Sequence, residues 1–175
     1  MMILIIGGSG SGKSEYAEER AVAVNEGELI YIATMQPFDL EGEQRIIKHR
    51  EMRKDKNFKT VECYTHLEKT AIKKGQTVLL ECMSNLVANE MFSESGRTKN
   101  TAEIILCGIN QLKKSADSLI IVTNNVFDDG ILYDSETQKY LKTISEINKE
   151  LAMQADQVIE VVHKIPIVIK SGGHQ

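Results

Sequence analysis

Between residues 2 and 14 the chain runs from an unbroken apolar stretch, Met2-Ile3-Leu4-Ile5-Ile6, straight into Gly7-Gly8-Ser9-Gly10-Ser11-Gly12-Lys13-Ser14. Gly7, four residues, then Gly12-Lys13-Ser14 is the spacing of a phosphate-binding loop. Such a loop needs glycines so that backbone N–H groups can curl around a phosphate chain without Cβ clashes. A helix starting near Lys13 aims its positive end at the anion. The segment therefore predicts strand, loop and helix in that order, with Gly7, Gly8, Ser9, Gly10, Ser11, Gly12, Lys13 and Ser14 around a nucleoside triphosphate. Lys13 is expected to reach the β- and γ-phosphates, and the Ser14 hydroxyl to ligate Mg²⁺.

A chain of 175 residues with 42% hydrophobic and 26% charged residues has the composition of one globular domain, so residues 1–175 are read as a single nucleotide-binding domain. The net charge of −4 argues against a nucleic-acid partner held by bulk electrostatics. No apolar stretch approaches the length of a membrane span. The start, Met-Met-Ile-Leu-Ile-Ile-Gly-Gly, reads as strand and loop rather than as a signal peptide. Cys63, Cys82 and Cys107 form no CxxC pair, which disfavours a metal knuckle or a disulfide framework. Cys82 and Cys107, in apolar surroundings, read as buried thiols, and a reducing cytoplasm is the expected compartment.

Strand and helix signals alternate along the chain, which predicts a three-layer α/β domain with a mostly parallel sheet and a C-terminal hairpin. Strands are expected at 28–33, 58–63, 77–82 and 118–123, and paired strands at 157–162 and 165–170 around His163-Lys164. Helices are expected at 13–25, 41–54, 67–74, 85–92, 101–115 and 136–155, with loops at 93–100 and 124–135. A frayed tail is expected at 171–175. The helix at 41–54 is dominated by charge, with Ile46, Ile47 and Met52 as its strong apolar positions. So thin an apolar face predicts a mobile or substrate-facing helix.

Two further positions carry chemistry. Thr77-Val78-Leu79-Leu80-Glu81-Cys82 is a buried-strand pattern that brings Glu81 to the carboxyl end, where ligands gather in open α/β sheets. There the carboxylate can hold Mg²⁺ or merely cap the next helix. His49 lies among Arg45, Lys48, Arg50 and Arg53. A positive field of that kind favours a neutral, nucleophilic imidazole, and the same cations can hold a phosphate. A solvated surface histidine is the plainer alternative from these residues alone.

Taken together, these segments resemble the bifunctional adenosylcobinamide kinase and adenosylcobinamide-phosphate guanylyltransferase family of cobalamin biosynthesis. The resemblance rests on the phosphate loop, Tyr31-Ile32-Ala33-Thr34, Arg45-Ile46 with His49-Arg50, Thr60-Val61-Glu62, Leu80-Glu81-Cys82 with Asn89, Val122-Thr123-Asn124, and the run from Asn148 to Asp156. It implies that ATP or GTP phosphorylates adenosylcobinamide at the phosphate loop. It implies also that His49 takes GMP from GTP as a covalent intermediate and passes it to adenosylcobinamide phosphate. Thr34, Arg50, Glu62 and Glu81 fall at positions of nucleotide contact, with Mg²⁺ at Ser14 and Glu81. The implied assembly is a homotrimer with its active site near subunit boundaries. Phe58 stands where the family tends to carry a tryptophan, and Asn125 where it carries a carboxylate.

Overall fold

The computed structural model describes residues 1–37, 40–125 and 133–172, apart from the side chains of residues 40, 41, 45 and 48. The expected contributions of Arg45 and Lys48, most of the 124–135 loop and the end of the 171–175 tail fall outside the described residues.

The elements are β1 (Met2–Gly7), α1 (Lys13–Ala23), β2 (Glu28–Ala33), α2 (Leu40–Arg53), β3 (Lys59–Glu62), β4 (Gln76–Glu81), α3 (Met83–Phe92), α4 (Thr101–Ser115), β5 (Ser118–Asn124), α5 (Ser135–Gln154), β6 (Gln157–Val162) and β7 (Ile165–Ser171). They form one seven-stranded sheet in the order β3-β2-β4-β5-β1-β6-β7. Each pairing is parallel except that of β6 with β7. The expected three-layer architecture and terminal hairpin are both present.

Strand alternation builds the two faces. Met2, Leu4, Ile30, Ile32, Val78, Leu80, Leu119 and Ile121 enter one core with α3, α4 and α5. Ile3, Ile5, Leu29, Tyr31, Leu79, Ile120 and Val122 enter the other, with Ala17 and Ala21 of α1. Because both faces are covered, the central strands are apolar at consecutive positions, as buried parallel strands are. In α1 the buried stripe is Lys13, Ala17, Glu18 and Ala21. Small residues there let the helix after the loop lie close to the sheet.

Two expectations need correction. The helix expected at 67–74 shrinks to a single 3₁₀ turn, Leu67–Lys69. Thr70 turns extended and donates its hydroxyl to Cys63 Sγ, while Leu67 is held under Gly108 of α4, where a Cβ would lie 3.1 Å from it. Tertiary contact overrides the local helical signal. Cys107 is exposed and Cys82 half-buried, whereas Cys63 is the buried thiol. On α4 the inward face belongs to Ile105, Gly108, Ile109 and Leu112, and the 3.6-residue period turns Cys107 to the opposite side. Among the described residues, no helix is long and apolar enough to cross a membrane.

At the far edge, β7 is exposed along its whole length, with Ile165, Ile167, Val168 and Ile169 all open to solvent.

Candidate active site

The phosphate loop follows β1 with no break, and Gly12 takes the left-handed conformation, φ 90°, at the start of α1. Ser11 N–H donates to Gly8 O, and Lys13 Nζ donates to the same carbonyl at 3.0 Å. Burial depresses the Lys13 pKa, with Cys82 and the Glu81 carboxylate pulling it back up. Lys13 and the end of β4 therefore sense one another electrostatically.

The carboxyl ends of β2 and β4 and the inner face of α2 enclose a cavity of about 400 Å³. His49, Arg50, Glu62 and Glu81 all line it, together with Tyr31, Arg53 and Tyr64. The charge-rich helix thus faces a cavity, as its thin apolar stripe predicts, and Ile47 on it is exposed.

Glu81 is the hub. Its Oε2 accepts from the Tyr31 hydroxyl at 3.1 Å, and its Oε1 stands 3.7 Å from His49 Nδ1. That ring nitrogen is buried and makes no hydrogen bond among the described residues. Of the cations expected around His49, Arg50 and Arg53 are among the described side chains, and both hold other partners. The guanidinium carbon of Arg53 lies over the Tyr31 ring, 3.5 Å from its centre, and Arg50 pairs with Glu62 at 3.5 Å. Among the described side chains, the Glu81 carboxylate is a charged neighbour of Nδ1, and Glu18 lies close to the pair. Burial and the Glu81 charge push the Tyr31 phenol far above its usual range, so it stays a donor to that carboxylate.

Thr34 is fully buried, and its hydroxyl donates to Cys82 O while accepting from Cys82 N–H. Asn89 donates to the Thr34 carbonyl. These bonds fix the end of β2 to the end of β4 and hold Glu81 in place; Thr34 does not itself line the cavity. Glu62 accepts from the Tyr64 hydroxyl at 3.0 Å. Cys82 also lines the cavity, but burial raises its pKa and keeps it a thiol. Asn125 donates to Glu160 of β6 at 2.7 Å.

Three participants escape a sequence reading. Tyr31 looks like an ordinary strand residue, and nothing local announces that its hydroxyl meets a residue fifty positions away. Glu18 is fully buried on α1, bonded to Lys56 at 2.8 Å, and lies near both His49 and Glu81. Its signal is the inward spacing of Lys13, Ala17, Glu18 and Ala21. Lys164, at the hairpin tip, touches the phosphate loop, which only the tertiary fold reveals.

The family model for cobinamide kinase / cobinamide phosphate guanyltransferase (CobU) matches residues 3–169. The chain belongs to this family. Its relatives include the bifunctional adenosylcobalamin biosynthesis protein CobU of Escherichia coli, 33% identical over 97% of this chain and 100% of that protein. The CobU of Salmonella typhimurium is 32% identical over the same shares. A more distant relative is the bifunctional adenosylcobalamin biosynthesis protein CobP of Pseudomonas aeruginosa, 26% identical over 97% of this chain and 98% of that protein. Among solved structures, an ATPase domain superposes with a TM-score of 0.55 at 11% identity, covering 98% of this chain and 77% of that one. The flagellar accessory protein FlaH from Methanocaldococcus jannaschii gives 0.51 at 12% identity, covering 99% and 81%. These two likenesses bear on the fold, which they share across the CobU-family chain. As a family member the chain is a kinase and guanylyltransferase.

Proposed function

We propose that this enzyme phosphorylates adenosylcobinamide with ATP or GTP at the phosphate loop, then moves GMP from GTP onto adenosylcobinamide phosphate through His49. The observation that carries the reading is the pair His49 and Glu81, 3.7 Å apart in one cavity, whose Glu81 carboxylate also acts electrostatically on Lys13 of the phosphate loop.

In the first reaction the substrate hydroxyl attacks the γ-phosphorus, and the bond to the β,γ-bridging oxygen breaks. Backbone N–H groups from Gly7 to Ser14 and the Lys13 ammonium meet the charge that spreads over the phosphates. Ser14 and Glu81 offer hard oxygen donors, a set that suits Mg²⁺, and would hold it against the nucleotide. When bound, the ion would neutralise charge on the β- and γ-phosphates.

In the second reaction Glu81 Oε1 accepts the Nδ1 proton of His49 after a small closure, since unliganded sites often hold such bonds long. That tautomer leaves the Nε2 lone pair free. Nε2 attacks the α-phosphorus of GTP, a P–N bond forms, the α,β-bridging P–O bond breaks, and pyrophosphate leaves. A phosphate oxygen of adenosylcobinamide phosphate then attacks the same phosphorus and breaks the P–N bond. Arg50 and Glu62 at the cavity mouth are the nucleotide contacts in this reading, and Thr34 acts by holding Glu81.

Assembly as a homotrimer is supported by β7, an edge strand whose aliphatic side chains are exposed in the single chain. Incubation with labelled GTP alone tests the central claim. Pyrophosphate release with GMP bound to the protein is expected, followed by discharge onto adenosylcobinamide phosphate. Release without a protein-bound label would overturn the covalent route.

A further inference from the structure

The β6–β7 hairpin turns on His163 and Lys164, both with positive φ, 48° and 65°. Two non-glycine residues in the left-handed region make a strained turn that Asn-Gly would form more easily. The tip is also where the sheet reaches the phosphate loop. Lys164 N–H donates to Ser11 O at 2.7 Å. The Lys164 stem lies over Gly12: a Cβ on that glycine would fall 2.8 Å from Lys164 Cγ. A Cβ on Gly7 would fall 2.7 Å from the Val161 carbonyl, so β6 walls the other side of the loop.

The lysine's charge is therefore carried to the mouth of the loop. Nζ pairs with Glu15, in the first turn of α1, at 3.0 Å, and the side chain is 75% exposed. This ion pair holds the Glu15 carboxyl below its usual range. A bare carboxylate one residue beyond Ser14 would repel a triphosphate, and Lys164 offsets it. Three bonds beyond the anchored Cγ, the ammonium can pivot from Glu15 toward the loop's opening while the stem stays on Gly12. An exposed ion pair of this kind is weak enough to exchange partners, and a terminal phosphate is the stronger acceptor.

We propose that Lys164 is a second cation of the phosphate loop, supplied by the C-terminal hairpin, and that it engages the terminal phosphate of the bound nucleoside triphosphate. The inference rests on the reading of residues 7–14 as the nucleotide site, and it assigns the hairpin a part in telling triphosphate from diphosphate.

The test is calorimetric binding of a β,γ-imido triphosphate and of the matching diphosphate to the full chain, for wild type, Lys164→Met, Lys164→Arg and Lys13→Ala. Lys164→Met is expected to weaken triphosphate binding about tenfold and diphosphate binding by less than about twofold, the scale of one charge-assisted hydrogen bond. Lys164→Arg should restore most of the loss, while Lys13→Ala weakens both ligands. The triphosphate affinity of Lys164→Met should also fall less steeply with salt. Equal loss for both nucleotides would reduce the hairpin to a brace, and no loss would remove Lys164 from the site; either overturns the proposal. A wild-type chain that binds neither nucleotide would overturn the loop reading itself, a result distinct from the other two.

Discussion

His49 Nδ1 faces Glu81 Oε1 at 3.7 Å, across the gap between a charged helix and the end of a buried strand. With Tyr31 donating to the other carboxylate oxygen, Glu81 can turn only one oxygen toward the ring. Glu81→Gln should slow formation of the GMP-bound protein on the order of a hundredfold, the low end of what a positioned proton acceptor supplies. Single-turnover labelling with GTP measures it, and an unchanged rate would leave Glu81 as a strand-end cap. His49→Ala should abolish the label altogether, and the wild-type adduct should be acid-labile and base-stable, as a phosphoramidate is. A label that moved to His66 or His163 would remove His49 from the chemistry.

Lys13→Ala should lower phosphorylation of adenosylcobinamide on the order of a hundredfold or more, because a charge clamp on the transferred phosphoryl group is lost. Steady-state kinetics of the kinase reaction checks this. His49→Ala should keep much of that kinase rate, since the hydroxyl attack does not use the imidazole.

Lys56→Met should destabilise the fold, on the order of 3 kcal/mol, by leaving Glu18 buried without its partner. Burial already raises the Glu18 pKa, with the Lys56 hydrogen bond and charge working against that rise. A carboxyl whose folded pKa lies above its unfolded value stabilises the fold at low pH and loses that contribution as pH rises through the folded pKa. The penalty of Lys56→Met should therefore be largest near neutral pH and shrink on acidification. Denaturant melts of both proteins between neutral and mildly acidic pH would show it; a constant gap would contradict the assignment.

Asp134 caps α5, accepting from the backbone N–H groups of Glu136 and Thr137. The Thr137 backbone bond, then its hydroxyl, hold the Asp134 pKa below the usual carboxylate range. With a depressed folded pKa, the cap's contribution is full above the unfolded value and is lost as pH falls through the folded one. Asp134→Asn should keep a cap but remove that acid-side loss, whereas Asp134→Ala should weaken α5 at neutral pH. Thermal melts across the acid range separate the two.

Helix α2 should exchange its amide hydrogens sooner than β4 and slow on adding GTP, since its side chains face a cavity instead of a core. Protection equal to that of β4 without nucleotide would contradict this.

Much of this arrangement is legible in the residues. The loop pattern, the apolar strands and the carboxylate at the end of β4 are local signals, because buried parallel strands and glycine-rich turns have few alternatives. The segment at 67–74 misleads, since the packing of Leu67 under Gly108 is invisible to a helical period. Cys107 misleads for a related reason: apolar neighbours in sequence are not neighbours in space on a helix. The cation cluster around His49 is real in composition, yet Arg53 directs its charge to the Tyr31 ring and Arg50 to Glu62. Partners fixed by distant strands, such as Tyr31 for Glu81, carry no local pattern at all.

The placement of β1 bears on how the chain reaches its folded state. β1 lies between β5 and β6, and Met2 N–H bonds to Asp156, 154 positions away. The nucleotide loop emerges early during synthesis, but its walls at Val161 and Lys164 arrive only after nearly the whole sheet-forming sequence has been made. Contacts so distant along the chain must close large loops before they stabilise anything, which slows folding. A nascent chain lacking the last two strands would display Met2 to Ile6 with one lateral partner missing, a sticky edge that chaperones are suited to cover. Competence to hold nucleotide is thus a late event, which makes nucleotide binding a readout of finished folding.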